Sequence, residues 1–249
     1  MEILGIDIGG SGMKGAIINS ETGELVSERF RIPTPRSRKP KPMAEVFKAI
    51  VEHFNYEGPI GCGFPTLVKN GVCKTTGNLD ASWLNVDAEK LFSDACGMPV
   101  TTVNDADAAG YAVMNYGIGK GKGGLVIMIT IGTGLGSGAF LDGTLIPNFE
   151  LGQIPYKKYN KIEKWAAASV KERKNLSFKK WGKRFNVVLE LVELLVCPAY
   201  IILGGGTAKD FEKFERWITI ETPVIPAHLG NNAGLVGAAV AALHPHTKK

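Results

Sequence analysis

The chain has 249 residues, 45% of them hydrophobic and 21% charged, with a net charge of +5, the composition of an ordinary folded protein of one large or two medium domains. Its four cysteines (Cys62, Cys73, Cys96, Cys197) are scattered with no C-x-x-C pair, which argues against a disulfide framework or a structural zinc site and for a reducing, cytoplasmic setting. The longest apolar stretch, residues 185–196, is broken by Asn186, Glu190 and Glu193 and falls far short of the ~20 residues of a membrane span, so it reads as a core helix; no charged leader precedes an apolar run at the start.

Residues 2–9 and 13–19 are apolar runs joined by Gly9-Gly10-Ser11-Gly12, the pattern of a hairpin whose turn has room for a phosphate. A third strand is expected over 25–33, then a loop holding the basic, Pro-rich run 36–41, then a helix over 43–54. Residues 60–64 read as a strand and 88–95 as a helix. A strand over 100–103 delivers Asn104 and Asp105 at its C-terminal end, ahead of a helix over 106–116.

The order then repeats. After a glycine-rich linker at 116–124 come a β-branched strand (125–131), a second tight turn at Gly132-Thr133-Gly134, a return strand (137–141) and an Asp142-Gly143 hairpin turn. A long helix over 178–196, a strand over 200–203, a turn at Gly204-Gly205-Gly206 and a helix over 209–218 complete that half. The final helix, 232–243, is rich in Ala and Gly and so suited to lying close on a sheet. Hairpins followed by strand–helix alternation, occurring twice, predict an α/β protein of two similar domains, 1–116 with 232–249 and 117–231, with a cleft between them.

The chemistry sits at the ends of these strands. Asp7 precedes the first glycine turn, whose successive backbone N–H groups can cradle an anion; Gly9, Gly10, Ser11, Gly12 and Lys14 are the candidate phosphate contacts. Asp7 is placed to hold a magnesium-bound water. Gly132, Thr133 and Gly134 repeat that chemistry, and Gly204 and Gly205 end a buried strand where a nucleotide or phosphate tail would fit. Asp105 is the candidate base, because a hydroxyl needs its proton accepted as a phosphoryl group arrives. Asn104 offers a donor and an acceptor, and Asp107 reads as a helix cap. Glu150 could accept two hydroxyls, although a lone Glu in a loop is usually solvated.

Two other motifs fail their context. No G-x-x-x-x-G-K-[ST] occurs, and Gly119-x-Gly121-x-x-Gly124 precedes a strand instead of linking a strand to a helix, so it reads as a hinge with Lys120 and Lys122 as phosphate contacts. Charge is uneven. Residues 157–184 hold eleven basic residues against Glu163 and Glu172, a local +9 that leaves the rest of the chain at −4. That segment is either a solvated face or a surface for polyanions.

Together, D-I-G-G-S-G-x-K-G at 7–15, N-D-A-D-A at 104–108, G-T-G-x-G at 132–136, E-L-G at 150–152 and L-G-G-G at 203–206 resemble the ROK family of sugar kinases. More narrowly, Gly77-Asn78-Leu79-Asp80 followed by Ser82-Trp83, and the stretch from Asn231 to Ala239, are similar to the polyphosphate glucokinases of that family. The resemblance implies two actin-like ATPase (ribonuclease H-like) domains. It also implies a sugar pocket lined by Gly63, Asn78, Asn104, Asp105, Glu150, Gln153 and Glu163. It further implies Mg2+ carried with the phosphate donor, a hexose and polyphosphate or ATP as partners, a homodimer, and neither nucleic acid nor membrane. No Cys lies between 97 and 196, so the zinc loop of most ROK kinases is not expected. Gln153 stands where the family pattern has His; it can hydrogen-bond a hydroxyl but cannot carry a proton. An ATP-only kinase for another hexose and a catalytically weak sugar sensor remain alternatives.

Overall fold

A computed structural model describes residues 1–227 and 232–245. The chain divides into two compact units, Met1–Tyr116 with Gly230–Lys249, and Gly117–Leu229. The domain boundary expected at 231 and the Asn231 of the sequence motif lie outside the described residues.

The first unit is built on β1 (Glu2–Ile8), β2 (Met13–Asn19), β3 (Phe30–Ile32), β4 (Ile60–Phe64) and β7 (Val100–Asn104), with a small hairpin, β5 (Val68–Lys69) and β6 (Val72–Cys73), set apart. The sheet order is β3-β2-β1-β4-β7, antiparallel across β3-β2-β1 and parallel from β1 to β7. Every residue of β4 and β7 is buried, the unbroken pattern of parallel strands covered on both faces. On one side lie α1 (Pro40–His53) and α2 (Ala88–Cys96), whose Phe47 and Phe92 stack at 4.4 Å between centroids. Pro40 opens α1 where a missing N–H costs nothing. Asp87 caps α2 by accepting from Lys90 N at 2.8 Å, and Gly97 at φ +75° ends it.

On the other face lie α3 (Asp105–Tyr116) and α7 (Ala233–Ala241). Here glycine is required for close approach. A Cβ on Gly61 would overlap the Ala238 carbonyl, and one on Gly237 would overlap that of Ala108. The Ala/Gly-rich helix therefore packs backbone against backbone, as its composition suggested.

The second unit repeats the plan with β8 (Leu125–Ile131), β9 (Leu135–Leu141), β10 (Thr144–Ile146), β11 (Tyr200–Gly204) and β12 (Val224–Pro226) in the order β10-β9-β8-β11-β12. Two short helices, α4 (Glu163–Ala166) and α5 (Ala168–Arg173), precede α6 (Phe178–Val196). Ser177 caps α6, which buries Trp181, Phe185, Val188, Leu189 and Val192, one stripe of a 3.6-residue period. The mixed α/β fold with two sheets is thus the expected class. Among the described residues, no helix is long and apolar enough to cross a membrane.

Four local expectations need correction. The strand expected over 25–33 forms a ladder only at Phe30–Ile32, with Leu25 a single bridge to Ile18. The helix expected from 43 begins at Pro40, inside the run read as loop. The helix expected over 209–218 is instead 3-10 turns, Gly206–Lys213 and Glu215–Trp217. Phe211, Phe214 and Trp217 all pack on the core, and Phe214, at φ −135°, breaks the run between the two turns so that no continuous helix forms. Finally, the cap of α3 is not Asp107, which is 1% exposed. Asn104 Oδ1 accepts from Ala106 N at 2.8 Å and Asp107 N at 3.3 Å.

Candidate functional site

In the first unit, Gly9 N donates to Gly12 O at 3.0 Å to close the turn between β1 and β2. The three carbonyls of that turn are each held by a side chain from β3 or from the segment between β3 and α1. Thr34 Oγ1 donates to Gly9 O at 2.6 Å, Arg38 Nη2 to Gly10 O at 3.2 Å and Arg31 Nη2 to Ser11 O at 2.7 Å. Carbonyls tied back in this way leave a turn's amides as its anion-facing groups. Asp7, at the end of β1, pairs with Lys14 Nζ at 3.3 Å. A Cβ on Gly234 would stand 3.0–3.2 Å from the Asp7 carboxyl atoms, so the start of α7 abuts that carboxylate, a favourable place for negative charge.

Asp105 is the first residue of α3 and is exposed; its Oδ1 accepts from Ala106 N at 2.9 Å. Gly63, at the end of the neighbouring β4, lies against the start of α3, where an added Cβ would be 3.9 Å from Asp105 Cα. Asn104 is buried; besides capping α3 it donates from Nδ2 to Thr66 O at 3.1 Å. Its side chain therefore fixes the loop after β4 to the start of α3. Asn78 is exposed, and its carbonyl accepts from Arg38 Nη1 at 2.8 Å. Gly77, at φ +53°, could not take a Cβ without overlapping Pro65 O, which presses this loop onto the end of β4.

In the second unit, the turn between β8 and β9 closes by Gly132 N donating to Gly134 O at 3.1 Å. Its carbonyls are also held from behind, by one residue. Ser169 N donates to Gly132 O at 3.3 Å, and Ser169 Oγ to Thr133 O at 2.6 Å. Gly205, at φ +80°, runs so close to Ile131 that a Cβ would meet its carbonyl, which sets the turn after β11 beside the start of the 132–134 turn.

Glu163 Oε2 accepts from Leu135 N at 3.3 Å, and Gly152 packs on the Leu135 carbonyl, so Glu150, Gly152 and Glu163 gather at one turn exit. Ser137 Oγ donates to Phe149 O and accepts from Leu151 N, which anchors the same loop. Glu150 is half-buried, not a solvated loop residue. Burial first and the nearby Glu163 second push its carboxyl above the ordinary range, with Lys161 opposing. Gln153 is exposed, and its backbone N donates to Glu150 O at 3.1 Å.

The basic segment spans loops, α4, α5 and the start of α6. Several of its cations lie on aromatic faces: Lys171 is 4.0 Å from the Phe178 centroid, Lys157 5.1 Å from Tyr156 and Arg184 5.6 Å from Trp165. Lys122 of the glycine-rich linker likewise sits 4.1 Å over Tyr200. Sequence reasoning missed Arg31, Thr34, Arg38, Ser169 and Gly234. Arg38 carried a signal only as part of a basic run read for its charge, and Gly234 only as part of the 231–239 stretch.

Comparison with known proteins follows the same lines. The pattern of the ROK family matches residues 3–148. The chain is 41% identical, over 96% of its length and 91% of theirs, to the polyphosphate glucokinase of Mycobacterium tuberculosis. The crystal structure of inorganic polyphosphate/ATP-glucomannokinase from Arthrobacter sp. strain KM superposes with a TM-score of 0.89 at 39% identity, covering 98% of this chain and 99% of that one. A ROK family glucokinase from Streptomyces griseus, solved with glucose and AMPPNP, shares the fold at a TM-score of 0.82 and 23% identity, over 98% of this chain and all of that one.

Proposed function

The chain belongs to the ROK family, and from that membership and the geometry above we propose that it moves a phosphoryl group from polyphosphate or ATP to the 6-hydroxyl of glucose or a related hexose in the cytoplasm. What carries the reading is the exposed Asp105 at the end of β7, beside Gly63, in the same unit as an anion turn whose carbonyls are all engaged.

In this reading Asp105 accepts the proton of the hydroxyl as it attacks, and Asn104 holds the start of α3 so that the carboxylate meets that hydroxyl. Gly63, Asn78, Glu150, Gln153 and Glu163 bind the sugar hydroxyls. The amides of Gly10, Ser11 and Gly12, with Lys14, take the donor phosphate; Gly132, Thr133, Gly134, Gly204 and Gly205 take the remainder of the donor. Asp7 is already engaged by Lys14, and no group of three or more His, Cys, Asp or Glu suited to a metal occurs among the described residues. These residues fit Mg2+ carried by the donor phosphates with at most one protein carboxylate, Asp7, through water. The ion would neutralise charge on the transferring phosphoryl group. The basic segment at 157–184 gives a long polyanion a path that a short donor would not reach.

A coupled assay of glucose, mannose and amino sugars against polyphosphate and ATP tests the proposal. Hexose 6-phosphate should form with magnesium, stop with EDTA and return with magnesium alone. No phosphorylated hexose from any pairing would sink it.

A further inference from the structure

Arg38 touches more of the first unit than its place in a basic run suggests. Its guanidinium is forked between two loops far apart in sequence, donating Nη2 to Gly10 O at 3.2 Å and Nη1 to Asn78 O at 2.8 Å. Its own backbone is anchored. The Arg38 carbonyl accepts from Trp83 Nε1 at 2.8 Å, and its N–H donates to Pro35 O at 2.9 Å. Trp83 is fully buried and packs on Phe64, the last residue of β4, at 4.8 Å between centroids. The residue is also held at φ +49°, a left-handed conformation that a non-glycine residue adopts at a cost. A rigid line thus runs from the sheet core through Trp83 to Arg38, and from its side chain to both the glycine turn and the Asn78 loop.

Two neighbouring donors share the work on the turn side. Thr34 and Arg31 hold the carbonyls of Gly9 and Ser11, but neither is seen to reach the Asn78 loop. A planar fork with fixed donor directions sets two acceptors at one separation, which a flexible ammonium does not.

We propose that Arg38 is a positioning residue whose fork fixes the spacing between the first glycine turn and the Asn78 loop. In doing so it fixes the separation at which phosphate donor and hexose are presented to each other. The assignment rests on the kinase reading above for what the two loops bind. It differs from a simple charge effect, because the guanidinium is turned onto carbonyl oxygens, not toward an incoming anion.

The test uses Arg38→Asn, which tolerates a positive φ but cannot span the gap, and Arg38→Lys, which keeps the charge and loses the fork. Circular dichroism and a cooperative thermal transition check that each variant is folded, and the Lys variant serves if the Asn variant is not. The readouts are kcat, KM for glucose and for polyphosphate, and calorimetric affinity for tripolyphosphate at several salt concentrations. The Asn variant should lose roughly 10–10²-fold in kcat, the scale of a misplacement of about 1 Å between reacting groups, and bind tripolyphosphate several-fold less tightly. The Lys variant should recover only a minor part. The slope of log affinity against log salt should match wild type in both.

Folded variants within twofold of wild type in kcat would overturn the proposal. So would full recovery by Lys together with a slope about one unit shallower in Asn, because Arg38 would then be a direct phosphate contact. If the wild-type chain phosphorylates no hexose, the kinase reading fails. The strut is then judged on tripolyphosphate alone, and affinity of Arg38→Asn within twofold of wild type overturns it. No tripolyphosphate binding by wild type overturns both.

Discussion

The first unit's sheet, β3-β2-β1-β4-β7, and the second unit's, β10-β9-β8-β11-β12, pair their strands in the same senses throughout. Their chemistry differs at matching places. The last strand of the first delivers Asn104 and then Asp105; that of the second delivers Pro226 and then Ala227. The glycine turn of the first is braced by Thr34 and two guanidinium groups, whereas that of the second is braced by the neutral Ser169 and has the carboxylate of Glu163 at its exit. One scaffold, used twice, has been given cations behind a turn in one unit and carboxylates beside a turn in the other. The difference teaches that the fold supplies the position of a turn, while the residues behind it decide what charge it will accept.

The comparison breaks most visibly at the strand ends. Asp105→Asn should keep the fold and sugar binding but lower kcat by roughly 10²–10⁴-fold, the usual scale of general-base loss. Ala227→Asn, at the matching end of β12, should leave kcat within a few-fold of wild type. Near wild-type turnover by the Asp105 variant would remove the asymmetry on which the mechanism depends.

A smaller effect separates the two turns. A Cβ on Gly12 would overlap the Arg31 guanidinium, and one on Gly134 would overlap Glu163 Oε2. Each alanine variant therefore displaces one charged side chain by its far end. Gly12→Ala should raise KM for the phosphate donor about tenfold with little change for glucose, whereas Gly134→Ala should raise KM for glucose as well as for the donor, because it also displaces Glu163. If Gly134→Ala left the KM for glucose unchanged, Glu163 would not reach the sugar and the contrast drawn between the two turns would fail.

Much of this architecture is legible in the sequence because it is locally encoded. The 178–196 helix carries its apolar stripe, its Ser177 cap and a clean start, and forms over those residues. The Asp142-Gly143 turn needs two positive φ angles, and both residues adopt them. The 3-10 turns after β11 were not legible, because the three-residue aromatic spacing matters only once Trp181 and Phe178 provide a surface to meet it. The braces were hidden for the same reason. Arg31, Arg38 and Ser169 reach their carbonyls across 20, 28 and 36 residues, respectively, and no local pattern records such a partner. Asp107 was misread because a carboxylate in a first turn looks like a cap, while the amide that caps α3 sits one residue before the helix.

The smallest expected effect lies in the second unit's carboxylates and depends on pH. Burial, then Glu163, raises the Glu150 carboxyl above its ordinary value, against the pull of Lys161. A carboxyl whose folded pKa exceeds its unfolded one binds protons more tightly in the folded chain. Its contribution to stability is present at low pH and is lost as pH rises from the ordinary carboxylate range through the raised value. Glu150→Gln removes that titration while keeping the shape. Its Tm should match wild type at about pH 4 and exceed it slightly at about pH 7, while glucose affinity falls because one acceptor has become a donor. Stability and binding then move in opposite directions, which a solvated Glu would not produce. A Tm difference that is the same at both pH values would mean that the charge of Glu150 costs the fold nothing. A drop at neutral pH would mean that the carboxylate stabilises its loop instead of being held there for a ligand.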